Sequence, residues 1–280
     1  MPFLRRLGFY LGLLLFTLFS IFPVIWMVIT AFKQDGDLYN VSNDPFLYNL
    51  PPTLKNVTLL FTSTNYPVFL WNSFYIGVIV VIITLLLSVP AAYSLSRLVG
   101  RWGERSGIAI FLVYLIPPTL LFIPLYQIVT FLKAANTVWS LVMVYPTITV
   151  PFCTWLLLGF FKSIPHDLEE AALTDGCSRW QAFLRVALPL SLPGIATCIV
   201  FAFALSLSDY IYSAIFISSS ASRTVSAGVP TELIRGDIYY WQSLMAAAVI
   251  VAIPLAVAYG LLFDRLVKGF QSEPAGGKDG

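Results

Sequence analysis

Residues 165–189 read PHDLEEAALTDGCSRWQAFLRVALP. This polar stretch interrupts the apolar second half of the chain, and the rest of the sequence is read around it. It holds the acids Asp167, Glu169, Glu170 and Asp175 and the bases Arg179 and Arg185. Pro165 suits a first helical position, because its fixed φ is helical and its missing N–H would have no partner there. Asp167, Glu169 and Glu170 then fall in the opening turns, where carboxylates are stabilised by the positive end of the helix dipole. Gly176 suits a left-handed residue just past the helix end. Ser178 followed by Gln181 makes a capping box that starts a second helix, and Leu188-Pro189 is expected to stop it. The pattern predicts two short helices joined by a tight turn. Lipid offers such a polar segment no partners, so it belongs at a membrane surface, within reach of a water-soluble partner.

The surrounding composition agrees. The chain has 280 residues, of which 58% are hydrophobic and only 11% charged. A soluble domain carries about a quarter of its residues as charges, so the sequence specifies an all-α polytopic membrane protein. A net charge of +2 gives no reason to expect a nucleic-acid partner. Cys153, Cys177 and Cys198 lie far apart with no metal-like spacing, and His166 is the single histidine. Both facts argue against a metal centre and against most imidazole-based catalysis.

Six apolar runs are expected to span the membrane, at about 7–32, 70–95, 108–132, 138–161, 190–217 and 243–263. Together they form a single permease-type domain over about 1–270, with a Gly-rich, charged tail at 271–280 that is expected to be disordered. The first run is too long for a signal peptide and lacks a small-residue cleavage site. Residues 33–68 read as a polar loop. Pro117, Pro118 and Pro124 in the third run mean either a kinked packing helix or a helix lining a cavity. Six spans put both termini on one side. The Lys and Arg residues sort as about eleven on that side, with Arg97, Arg101, Arg105, Lys162, Arg179 and Arg185 among them, against Lys33, Lys55, Lys133, Arg223 and Arg235 on the other. The positive-inside rule therefore places the termini and residues 165–189 in the cytoplasm.

Glu170-Ala171-Ala172, Gly176, Val186 and Leu188-Pro189, at their spacing, resemble the EAA signature of ATP-binding-cassette (ABC) importer permeases; Val186 stands where the family prefers Ile. Ile116-Pro117-Pro118, Ile123-Pro124-Leu125-Tyr126, Asn136-Thr137, Gly159-Phe160-Phe161, Ile164-Pro165 and Asp175-Gly176 are similar to the second permease of maltose-transporter-type carbohydrate importers. The resemblance implies that Glu170, Ala171, Ala172, Asp175, Gly176, Leu188 and Pro189 belong to a coupling segment that docks in an ATPase subunit. It implies a bacterial inner-membrane complex of this chain with a second permease, two cytoplasmic ATPase subunits and an extracytoplasmic solute-binding protein. The cargo would be a sugar, oligosaccharide, polyol or glycerol phosphate. The chain itself would bind no cofactor; ATP and magnesium would sit in the ATPase. In agreement, the sequence contains no GxxxxGK[ST] phosphate loop.

Asp209 is the acidic residue well inside a span, and such a group is expensive in lipid. Either it lines the translocation path with Tyr210 and Gln127, or it meets water or a partner helix near the span's outer end. Relatives often carry Asn before the acidic residue, where this chain has Ser208. Residues 223–240 read as an outer loop, either a plain connection or a segment reaching toward the binding protein. An ion-coupled secondary transporter is the alternative reading, but it would place several ionisable groups at mid-membrane. An intramembrane enzyme would need a catalytic set that one histidine and one intramembrane acid do not supply.

Overall fold

The structure is a computed structural model that describes residues 2–271. Its helices are α1 (Pro2–Ala31), α2 (Asp35–Leu38), α3 (Lys55–Ser63), α4 (Tyr66–Arg97), α5 (Arg101–Tyr114), α6 (Pro118–Phe131), α7 (Val138–Val144) and α8 (Pro146–Ser163). There follow α9 (His166–Thr174), α10 (Arg179–Ala182), a π-helical turn over Phe183–Ala187, α11 (Leu188–Leu190), α12 (Leu192–Ser208), α13 (Ile211–Phe216) and α14 (Val225–Leu233). A small antiparallel ladder of β1 (Ile234–Arg235) and β2 (Ile238–Tyr239) precedes α15 (Trp241–Gln271). The tail expected to be disordered lies outside the described residues, apart from Gln271 at the end of α15.

Among the described residues, four stretches are long and apolar enough to cross a membrane: Arg5–Ala31, Tyr66–Arg97, Val138–Ser163 and Trp241–Leu261. Two bent pairs bring the number to six if each counts as one span. The third expected span breaks between Tyr114 and Pro118, where its halves meet at 87°. Two consecutive prolines explain this. Each biases the residue before it out of the α region, and Pro117 is extended at ψ 128°. The fifth expected span is likewise two pieces, α12 and α13, separated at Asp209 and Tyr210.

The chain forms two compact units. The first comprises residues 2–67 and 228–256. Its 33–68 segment was expected to be a plain loop; it contains α2, α3 and the start of α4, and it is tied around a buried ion pair. Lys33 Nζ lies 3.7 Å from Asp37 Oδ2, with both side chains enclosed. Asn49 Nδ2 donates to Asp37 Oδ1 at 2.8 Å, and Lys33 also reaches the Asp44 carbonyl at 3.1 Å. Asn56 Nδ2 donates to the carbonyls of Ala31 and Lys33, both at 2.9 Å. These bonds satisfy the main-chain groups freed where α1 ends. Glu232 accepts from the Asn65 N–H and side-chain amide at 2.8 and 2.7 Å.

The second unit comprises residues 68–227 with 257–271 and holds two apolar clusters. One gathers Ile76, Val80, Leu141, Tyr145 and Tyr212; the other gathers Val89, Leu157, Phe161, Phe183 and Cys198. Helices α8 and α12 approach closely at Gly194, where an added Cβ would stand 2.6 Å from the Phe160 ring. Cys153 and Cys198 face each other there, free and buried.

Candidate functional site

Residues 165–189 fold as the capped pair that their chemistry dictates. Pro165 sits one position earlier than expected, as the N-cap of α9, with Asp167 and Glu169 in the first turn. The helix closes with a Schellman motif: the Gly176 N–H bonds the Leu173 carbonyl at 3.1 Å, and the Cys177 N–H bonds the Ala172 carbonyl at 3.0 Å. Gly176 carries φ 90°, which glycine adopts at low cost. Ser178 and Gln181 form the reciprocal capping box at 2.8 and 3.3 Å. Pro189 does not stop the second helix, as the sequence had suggested. It lacks the N–H that would bond the Arg185 carbonyl, and the chain responds with the π-helical turn and continues to Leu190. The next break comes at Ser191, where Arg179–Leu190 and Leu192–Ser208 are bent by 70°.

Glu170, Ala171, Asp175, Gly176 and Pro189 are exposed, and Ala172 and Leu188 are half-buried. Their neighbour Glu169 is turned the other way and is 7% exposed. Its Oε1 accepts from Arg97 Nε at 2.7 Å and its Oε2 from Tyr93 Oη at 2.8 Å. Arg97 also donates to the Ile164 carbonyl at 2.7 Å and meets His166 Nε2 at 2.9 Å. Tyr93 packs on Phe183, with ring centroids 4.5 Å apart. From the sequence, Glu169 was read only as an acid at the helix start and Arg97 as a positive charge at a span end, and Tyr93 was not singled out. The available signal was the helical spacing of His166 and Glu169, three apart and so on one face.

At the other break, Asp209 is half-buried. Its Oδ2 accepts from Tyr145 Oη at 3.0 Å and from the N–H groups of Tyr212 and Ser213 at 3.1 and 3.3 Å. The carboxylate thus covers the opening N–H groups of α13, which explains how a broken span tolerates it. A cleft of about 420 Å³ adjoins it, lined in part by Tyr114, Pro117, Pro118, Ile148, Ser208 and Asp209. Pro117 and Pro118 of the third expected span therefore line a cavity, while Pro124 lies within α6 outside it. Tyr210 and Gln127 are exposed and lie outside this cleft. A second cleft, about 490 Å³, runs beside α8 past Trp155 and Gly159 and contains none of the predicted site residues. Residues 223–240 are not a plain loop: they form α14 and the β1–β2 ladder.

Apolar helices that span and break, a cleft with a carboxylate at one break, and a capped helix pair with an exposed face define a polytopic membrane transport subunit. The chain belongs to the family of binding-protein-dependent transport system inner membrane components, whose profile matches residues 71–272. It is 32% identical over 267 residues to the inner membrane ABC transporter permease protein YcjP of Escherichia coli strain K12, covering 95% of this chain and 94% of that one. It is 33% identical over 262 residues to the sulfoquinovosyl glycerol transport system permease protein SmoH of Agrobacterium fabrum, covering 93% and 90%. It is 31% identical over 269 residues to the trehalose/maltose transport system permease protein MalG of Thermococcus litoralis, covering 94% of each. Among solved structures, a bacterial ABC transporter that imports the acidic polysaccharide alginate shares the fold, with TM-score 0.77 and 18% identity over 93% of this chain and 96% of that one. The protein is a multi-pass ABC permease subunit; ATP hydrolysis belongs to a separate subunit. Family membership sets aside the ion-coupled and intramembrane-enzyme readings.

Proposed function

We propose that this chain is one of two permease subunits of a bacterial ABC importer for a carbohydrate, with both termini in the cytoplasm. It works with a second permease, two ATPase subunits that hold ATP and magnesium, and an extracytoplasmic binding protein that delivers the cargo. A polyol or glycerol phosphate falls within the same cargo class. The carbohydrate assignment is supported by the names of relatives that carry trehalose or maltose, sulfoquinovosyl glycerol and diacetylchitobiose.

The observation that carries the mechanism is the exposed face of α9. Both of its neighbouring turns are satisfied within the chain, so Glu170 and Ala171 are left for a partner. Small Ala171 and Ala172 permit close approach, and Glu170 offers a carboxylate to a cation on the ATPase. Closure of the ATPase pair moves this segment, and the cavity between the two permeases opens outward. The cleft beside Asp209 is the part of this chain that serves the path, with the Asp209 carboxylate and Ser208 hydroxyl as hydrogen-bonding groups for a polyhydroxyl cargo. Tyr210 and Gln127 join the path only if the second permease encloses them. The test is uptake and ATP hydrolysis by the reconstituted complex carrying Glu170→Arg. Loss of uptake with ATPase subunits dissociated or uncoupled supports the docking role; normal cargo-stimulated hydrolysis and uptake refute it.

A further inference from the structure

The two glutamates of residues 165–189 face opposite ways, and the inward one joins the coupling segment to a single long helix. The Arg97–Glu169 pair is enclosed, with side-chain exposures of 4% and 9%. Arg97 is the last residue of α4, and its guanidinium bridges three points of the next segment: the Glu169 carboxylate, the Ile164 carbonyl and the His166 ring. Tyr93, one turn earlier on α4, adds a bond to the other Glu169 oxygen. A planar guanidinium suits such a multi-point site because its donors are held in a fixed fork.

The same helix is tied at two further levels of its unit. Near its middle, the Thr84 and Thr149 hydroxyls meet at 2.6 Å. Near its start, Asn72 Nδ2 donates to the carbonyls of Ala221 and Arg223, both at 2.9 Å, and Ser73 Oγ accepts from the Val225 N–H at 2.8 Å. Segment 221–226 in turn reaches the broken span: Thr224 bonds Ser213 at 2.6 Å, and Ser226 Oγ donates to the Asp209 carbonyl. At 1.5 Å per residue, about 37 Å of helix α4 separates Asn72 from Arg97.

We infer that Arg97 and Glu169 form a clamp that makes α4 the rod carrying motion of the coupling segment to the 221–226 strap beside Asp209. Arg97, Glu169 and Tyr93 are positioning residues. They touch no cargo, and they determine whether displacement of α9 becomes displacement of α4. The inference rests on the docking role proposed for α9. A packed contact alone would let α9 slide past the end of α4, whereas a buried charge pair with three further bonds has one favoured geometry. Separating it leaves charges in a poorly solvated place.

The experiment uses the complete transporter in proteoliposomes. Arg97→Gln and Glu169→Gln are each assayed for retained ATPase subunits, for cargo-stimulated hydrolysis and for cargo taken up per ATP. The clamp predicts retained subunits, continued hydrolysis and uptake per ATP lower by about tenfold, within the usual range of coupling between sites. Tyr93→Phe removes one bond and lowers the ratio less. An unchanged ratio in both charge variants overturns the clamp. A measurement with the clamp intact guards against misfolding of these variants. Spin labels at Thr174→Cys on α9 and Leu87→Cys on α4, in a Cys177→Ser background, report the distance between the two helices with and without ATP, and each label alone, paired with a label on the second permease, reports whether its own helix moves. Joint displacement at constant separation supports the rod. Movement of α9 with α4 left behind overturns the clamp alone. No movement of either helix, together with normal transport by Glu170→Arg, overturns the docking role and the clamp with it.

Discussion

Replacing Gly176 with alanine isolates the cost of one torsion. The residue stands at φ 90° in the Schellman turn, and a Cβ added there would meet nothing within 4 Å. Sterics therefore contribute nothing, and the penalty is that of holding an L-residue in the left-handed region, about 1–2 kcal/mol. That equals a factor of about 5–30 in the population of the correct turn. Valine adds a β-branch and costs more, while asparagine tolerates this region and costs less. Gly159 supplies the control. It also faces open space, but lies within helix α8 without a positive φ, so alanine there is neutral or gains up to about 1 kcal/mol in helix propensity. If the turn presents α9 to the ATPase, Gly176→Ala weakens ATPase binding to the reconstituted permease pair by about the same 5–30-fold factor. Titration of labelled ATPase subunits into proteoliposomes reads the dissociation constant directly. Binding by Gly176→Ala as tight as by Gly159→Ala would refute the reasoning.

Other perturbations separate the remaining claims. Glu170→Gln, on an exposed position, is expected to leave permease stability within about 0.5 kcal/mol while lowering hydrolysis-driven uptake, checked by thermal unfolding in detergent beside a transport assay. Asp209→Asn keeps acceptor atoms for the α13 N–H groups, so the subunit is expected to assemble normally; altered uptake kinetics would support the path role, and unchanged kinetics would return Asp209 to helix capping alone. Burial alone would raise the Asp37 carboxyl, but the Asn49 side chain and N–H and the Lys33 ammonium outweigh it and hold it below the usual carboxylate range. A depressed carboxyl contributes stability above its unfolded value of about 3.9 and loses it as pH falls through the folded one. Acid unfolding below about pH 4 is therefore expected to soften in slope for Asp37→Asn, and an identical acid limb would contradict the assignment.

Much of this architecture is written in local chemistry. Gly176, Ser178 and Gln181 fix the turn between α9 and α10 through caps within a few residues, so the sequence alone reveals it. The apolar runs likewise announce the spans. The breaks were harder to read. Pro117-Pro118 signals a disturbance, but an 87° bend depends on how the two halves pack. Pro189 signalled a stop, yet a π-helical turn absorbed its missing N–H. Asp209 looked like an acid within a continuous helix, because nothing nearby announces that Tyr145, 64 residues earlier, donates to it. The Arg97–Glu169 pair was illegible for the same reason, since 72 residues separate its members. Arg97 reads from sequence as one more positive charge at a span end. The order in residues 33–68 also depends on distant partners such as Asn56 with the Ala31 carbonyl. Short-range caps are legible; long-range polar pairs inside an apolar sequence are not.

The central claim is that the exposed face of α9 meets the ATPase. A photo-crosslinking amino acid placed at Ala171, in the complete transporter in its native membrane, tests it most directly. The account predicts an adduct with the ATPase subunit that changes in yield when ATP is supplied. Adducts formed only with lipid, or with no ATPase subunit under any nucleotide condition, would contradict it.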